Sequence, residues 1–201
     1  DQEDSIVRSF VSGTVVNAVP YKAEAEIACT AEQAQALRKA AETAEGKFEI
    51  TDTEGGVKIL SLGTACHAST PPGGFNAAAY LVVLLKSVFS NQELGALISF
   101  AAEKIGTTYD GSAAGVACSD EASGPLTFNF GIMQMQNGRG RLEVDIRYPA
   151  TLSSDPMVET LRKAAEAYGL RYETDMDEKP LYLPKAVSYT HLRAHETELH
   201  L

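Results

Sequence analysis

One six-residue string occurs twice in this chain, and it restricts the possible folds more than any other feature. LRKAAE stands at 37–42 and again at 161–166. The flanks agree as well: LRKAAETAEGKFEITD lines up with LRKAAEAYGLRYETDMD. Each copy reads as a helix, a glycine stop (Gly46 or Gly169), and a strand carrying Phe48 or Tyr172. Upstream, KAEAEIACT parallels RLEVDIRYP, so that Ile27 answers Ile146. A hexamer alone would say little. The shared order of strand, helix, glycine and strand predicts a duplicated β-β-α-β unit. The two copies lie too far apart for a solenoid, so the halves are expected to be related by a pseudo-two-fold axis, as when a dimer is fused into one chain.

Local patterning fills in the rest. Residues 6–12 and 22–29 alternate as strands. Thr30 is placed to cap a helix running to about Thr43, because TAEQAQALRKAAET is rich in helix formers. Two strands near 47–53 and 56–64 flank the turn TEGG. A helix at 76–89 is apolar on nearly every side and must be covered on most of them. A second helix is expected at about 92–104 with Asn91 as its cap, and TYDGSAAGVACSDEASGP reads as a loop. Strands at 126–135 and 140–148 follow around the turn NGRG, and Ser154 or Asp155 starts the last helix. Strands and helices alternate irregularly with hairpins. The expected fold class is therefore α+β: doubled ferredoxin-like β-α-β units forming an antiparallel sheet with helices packed on one face.

Charge and cysteine usage narrow the function classes. The net charge is −10, and no basic stripe of the kind a nucleic-acid binder needs is visible. Three scattered cysteines, Cys29, Cys66 and Cys118, do not form a disulfide framework and suit a reducing, cytoplasmic compartment. The longest apolar run, Ala77 to Leu85, is about half of the ~20 residues that span a membrane. The chain begins DQEDSIV rather than with Met, which reads as the middle of something longer. Its last fifteen residues, VSYTHLRAHETELHL, change composition abruptly after Lys185 and resemble a translated sequencing adapter. His191 and His195 there are spaced i, i+4, but Leu192 stands where a zincin motif needs Glu. Residues 187–201 are therefore set aside as a non-native tail.

That leaves His67 as the histidine to explain. It lies in GTACHASTPPGGFNAAAYLVVLL, between a strand and a Pro-Pro-Gly-Gly turn, beside the small residues Cys66, Ala68 and Ser69. It reads first as a surface or hydrogen-bonded structural residue, and beside that as a group able to donate to a developing oxyanion. A metal role is disfavoured, because no His-x-Asp pair exists in the chain. Asn17, in TVVNAVPYKAEAEI, is first of all a turn residue. Arg147 closes LEVDIRYP and reads either as a surface ion-pair partner or as a fork for a carboxylate; Asp145, two positions earlier on the same face, could orient it.

Taken together, NAVPYKAEAEI, CHASTPPGGFNA, GPLTFNFGIM and VDIRYP resemble the lid (dimerisation-type) domain of the aminoacylase, carboxypeptidase G and carnosinase family of zinc metallopeptidases. Their order is most similar to that of the monomeric PepV-like bacterial dipeptidases, in which the lid is doubled inside one chain. The resemblance covers about residues 6–185. It implies a duplicated lid at 1–178 with halves at about 6–90 and 91–178, and re-entry into a catalytic domain at 179–186, where EKPLYLPK stands. It implies two zinc ions held by that domain and none by this chain, which alone would be inactive. By the same resemblance His67 is the catalytic residue that binds the oxyanion, while Asn17 and Arg147 bind the C-terminal carboxylate of a dipeptide. The positions answering Arg147 and Asn17 in the opposite copies are Ala28 and roughly Gln136. The implied partners are a small dipeptide and the rest of the same chain, with no nucleic acid or membrane, in a monomeric parent. Three rivals stand beside it: a deacylase of the same family, a purely structural lid in an inactive relative, and a self-standing ferredoxin-like module that binds a small molecule. In the self-standing module His67, Asn17 and Arg147 would be scattered over unrelated surfaces.

Overall fold

The computed structural model of the chain describes residues 5–179. The tail at 187–201 with its three histidines, and all but the start of the EKPLYLPK segment, lie outside the described residues.

Eight strands and five helices follow one another as β1 (Val7–Ser12), β2 (Lys22–Ala28), α1 (Ala31–Thr43), β3 (Lys47–Thr53), β4 (Gly56–Leu62), α2 (Ala77–Val88), α3 (Asn91–Leu94), α4 (Ala96–Phe100), β5 (Ser119–Asp120), β6 (Gly124–Pro125), β7 (Thr127–Gln136), β8 (Arg139–Arg147) and α5 (Asp155–Ala167). Six strands form one sheet in the order β3-β4-β2-β1-β7-β8, antiparallel at every pairing. The fold is thus α+β, with helices against an antiparallel sheet.

Alternation explains why one sheet face is dry. Phe10, Ala23, Ala25, Ile27, Val57, Ile59, Phe128, Phe130 and Met133 are buried, while their neighbours Val11, Lys22 and Lys58 are exposed. The open face carries ion pairs instead, with Glu24 between Lys22 (2.6 Å) and Lys58 (2.7 Å). Antiparallel sheets tolerate this one-sided solvation. On the dry face α2 packs on β2, β4 and β7 and touches α1. Its Ala77, Ala78, Leu81, Val82, Leu84 and Leu85 are buried, which is the covering that its all-round apolar sequence requires.

The ends of the elements follow local chemistry. Thr30 and Gln33 form a reciprocal capping box at the start of α1. Asn76 caps α2 by accepting from the N–H groups of Ala78 and Ala79. The β7–β8 hairpin turns at Asn137 (φ 49°) and Gly138 (φ 74°). Both φ angles are positive, as a two-residue type I′ turn needs.

Three expectations are corrected. The helix expected at 92–104 is broken at Gly95, whose φ of 83° is closed to an ordinary helical residue. It continues as α4 and then a π turn over Ala101–Ile105. Its first turn is capped by Ser90, in a box with Glu93, and not by Asn91. The strand expected at Tyr172 is absent from the described residues. An edge strand needs a neighbour, and in the first half β4 supplies one to β3. Here Tyr172 lies under the Arg162 guanidinium, and Asp177 accepts from Ser154 (2.7 Å) and Tyr148 (3.4 Å).

β1 and β7 pair antiparallel, with β2 outside one and β8 outside the other, and β4 and β3 continue the sheet beyond β2 only. α1 follows β2 and α5 follows β8.

Candidate functional site

Chain direction sends several segment ends to one edge of the sheet. β1 ends there at Ser12, β2 begins there at Lys22 opposite Leu62, the end of β4, and Thr127, the start of β7, faces Arg147, the end of β8. The loops that leave these ends are 13–21, between β1 and β2, and 63–76, between β4 and α2. They contain Asn17 and His67.

The two loops are bound to each other by their main chains. Ala18 and His67 form an antiparallel bridge. The Val19 N–H donates to the Cys66 carbonyl (2.8 Å) and the Ala68 N–H to the Asn17 carbonyl (2.9 Å). Asn17 and His67 therefore leave adjacent rungs of one crossing, and both are exposed. Among the described residues the Asn17 side chain has no hydrogen-bond partner. The Ala77 N–H, at the start of α2, donates to the Pro20 carbonyl (2.9 Å), tying the first loop to the helix. Asn76 Nδ2 donates to the Phe130 carbonyl (2.8 Å), tying the end of the second loop to β7.

The His67 ring is oriented by its own turn. Nδ1 accepts from the Ser69 backbone N–H (3.1 Å) and lies 2.8 Å from Ser69 Oγ. A nitrogen that accepts a backbone N–H carries no proton. The neutral imidazole is then the Nε2–H tautomer, a hydrogen-bond donor at its outer nitrogen. Cys66 beside it is held as a thiol. Burial pushes its thiol up from the ordinary range, and the S–H donates to the Thr70 carbonyl at 3.2 Å.

Arg147 stands at the same edge, at the other side of β7. Its Nε lies 3.4 Å from Asp145 Oδ1 and its Nη2 3.5 Å from Asp145 Oδ2. Asp145 thus engages one side of the guanidinium, as its spacing on the strand suggests, while Arg147 itself remains exposed. The backbone just beyond Arg147 is pinned by Asp120. That carboxylate accepts from the N–H and hydroxyl of Ser123 (2.6 and 2.8 Å) and of Thr151 (2.9 and 2.8 Å). Backbone donation from Ser123 and Thr151 holds its carboxyl far below the usual carboxylate range.

The structure therefore brings the segments of Asn17, His67 and Arg147 to one edge. Ala28 and Gln136 fall at the opposite edge, where Ala28 donates to the Ile6 carbonyl and Gln136 pairs with Ser9. Each edge receives an Asn-type position from one half and an Arg-type position from the other, and only one edge keeps both residues. Two residues that the sequence reading did not single out, Asn76 and Asn129, are buried beneath this edge. A signal for Asn129 was present: it is an amide inside the otherwise apolar strand TFNFGIM.

Among the described residues no group of three or more His, Cys, Asp or Glu is placed to hold a metal ion. Among the same residues no helix is long and apolar enough to cross a membrane.

No protein-family model matches the chain. Among curated proteins it is similar to "Putative dipeptidase YtjP" of Bacillus subtilis, with 30% identity over 165 residues, 81% of this chain and 36% of that protein. "Putative dipeptidase SH1171" of Staphylococcus haemolyticus is 24% identical over 192 residues, 92% of this chain and 40% of that protein. "Putative dipeptidase SSP1012" of Staphylococcus saprophyticus is 25% identical over 193 residues, with the same coverage of 92% and 40%. The chain thus spans less than half the length of the curated relatives it matches.

Proposed function

We propose that this chain is the substrate-covering part of a zinc-dependent dipeptidase, a hydrolase of the peptide bond in dipeptides. The observation that carries this reading is the Ala18–His67 bridge at the sheet edge where Arg147 emerges. It joins the segments of a ready hydrogen-bond donor and a free carboxamide beside a guanidinium that Asp145 engages on one side. The names of the relatives agree with such a reaction.

Each residue has a definite part. His67 donates from Nε2–H to the oxygen of the scissile carbonyl as it gains negative charge, an interaction that strengthens toward the transition state. Arg147 presents the free side of its guanidinium to the substrate's terminal carboxylate, and Asn17 adds an amide donor. A carboxylate held at a fixed distance from the oxyanion donor measures substrate length and favours dipeptides. Activation of the attacking water belongs to the zinc-bearing catalytic part of the parent protein, outside this chain. These 201 residues alone are expected to be inactive.

The self-standing small-molecule module is the weaker reading, because it gives no reason for the segments of Asn17, His67 and Arg147 to share one edge. The experiment is a substrate panel on the full-length protein. Dipeptides should be hydrolysed, tripeptides poorly, and N-acyl amino acids poorly. Arg147→Ala should raise KM for dipeptides by about tenfold or more, the scale of a lost charge-assisted hydrogen bond. A preference for N-acyl amino acids would favour the deacylase instead.

A further inference from the structure

The loop that carries Asn17 crosses β7 at very short range. A Cβ built at Gly131 would meet the Val16 carbonyl oxygen at 2.3 Å, and one built at Gly13 would meet the Gly131 carbonyl oxygen at 1.9 Å. Main chain lies directly on main chain there, and the sheet register shifts between Phe130 and Ile132 to admit it. Two residues before Gly131, Asn129 is fully buried. Its Nδ2 donates to the Val16 carbonyl at 2.8 Å and to the Ala18 carbonyl at 3.0 Å. Both amide hydrogens are thus used, on the residues either side of Asn17. Its Oδ1 has no partner among the described residues.

We propose that Asn129 is a positioning residue: it seats the Asn17 loop on β7 and, through the bridge at Ala18, sets where His67 stands. The two contacts span 113 and 111 residues of sequence, so they fix a loop that local chemistry alone leaves free. The position is a poor one for stability. A buried acceptor without a partner is destabilising, a penalty that an apolar side chain of similar shape would avoid. The amide is explained by the loop it holds.

The structural half of this proposal stands apart from the dipeptidase reading, and only the catalytic half rests on it. The test is native-state hydrogen exchange on the 201-residue chain and its Asn129→Leu variant. The probes are the amides of Val19 and Ala68, which donate across the bridge, with Ala25 and Ile59 in the sheet as controls. In Asn129→Leu the two bridge amides should exchange about tenfold faster or more, the loss of roughly two ordinary hydrogen bonds, while the sheet controls change little. Gly131→Ala, which pushes on the same loop from the same strand, should act alike. Should Asn129→Leu fail to fold, Asn129→Ser, which keeps one donor, takes its place with a smaller effect in the same direction. Bridge amides that keep their rates, or that move only in step with the sheet, would overturn the proposal, as would failure of both variants to fold. In the full-length protein Asn129→Leu should lower kcat for dipeptides about tenfold, with Asn129→Ser between it and the parent. A full-length parent without dipeptidase activity would sink the functional reading and leave exchange to judge the clamp. An active parent whose Asn129→Leu variant keeps its kcat would sink the clamp's catalytic role alone.

Discussion

Ser69 acts on His67 twice, through its backbone N–H and its hydroxyl. The backbone contact alone fixes the tautomer. Ser69→Ala is therefore expected to leave His67 a donor at Nε2 but less firmly held. In the full-length protein kcat should fall about two- to tenfold, the range of one ordinary hydrogen bond, with KM little changed; steady-state kinetics decide. Arg147→Lys should not rescue Arg147→Ala, because an ammonium cannot engage Asp145 and a substrate carboxylate with one planar fork. At this scale the sequence was informative where chemistry is local. Asp145 sits two residues from Arg147 on one strand, so its role could be read from the alternation. Asn129 could not be assigned a role, because its partners come from a loop more than a hundred residues away.

Most elements could be read from periodicity and caps. α1 is framed by Thr30 and Gln33, and β3–β4 and β7–β8 by turns with a glycine at positive φ, Gly55 and Gly138. Thr30→Ala should cost about 1 kcal/mol, the usual worth of such a cap, read as a fall in the denaturant midpoint. α2 should be the least tolerant element. Leu85 is fully buried, and Leu85→Ala is expected to cost about 2–5 kcal/mol. The elements that were misread are those whose limits are set by tertiary partners. Gly95 ends a turn inside a run of good helix formers, and Tyr172 has a strand-like sequence but no second strand to pair with among the described residues. The ion pairs of the open sheet face give a pH dependence of known sign. Hydrogen bonds from Lys22 and then Lys58 hold the Glu24 carboxyl down to about 2. Its folded value lies below its unfolded one, so the stability it adds is fully present above about pH 4.5 and is lost as pH falls toward 2. These groups are solvated, so the effect should be about 1 kcal/mol or less. Thermal melts of the parent and Glu24→Gln should differ at pH 6 and converge near pH 2.

The whole molecule joins the repeat to the site. β1 and β7 run antiparallel, so positions that correspond when the two LRKAAE copies are aligned fall at opposite edges of the sheet. In this chain the edge with Asn17 and Arg147 also receives the long loops 13–21 and 63–76, whereas the two-residue turn at Asn137 and Gly138 leaves no room for a loop at the opposite edge. The repeated string LRKAAE is legible in the sequence; which edge gathers the segments of Asn17, His67 and Arg147 is not, since that depends on strand order and direction. The central claim is that the edge holding Asn17, His67 and Arg147 serves peptide hydrolysis through the Nε2–H of His67. It is tested most directly by the kcat of His67→Ala in the full-length protein, with zinc content measured beside it. The account predicts a kcat about 10²–10³-fold lower with zinc content unchanged; a kcat equal to the parent's would contradict it.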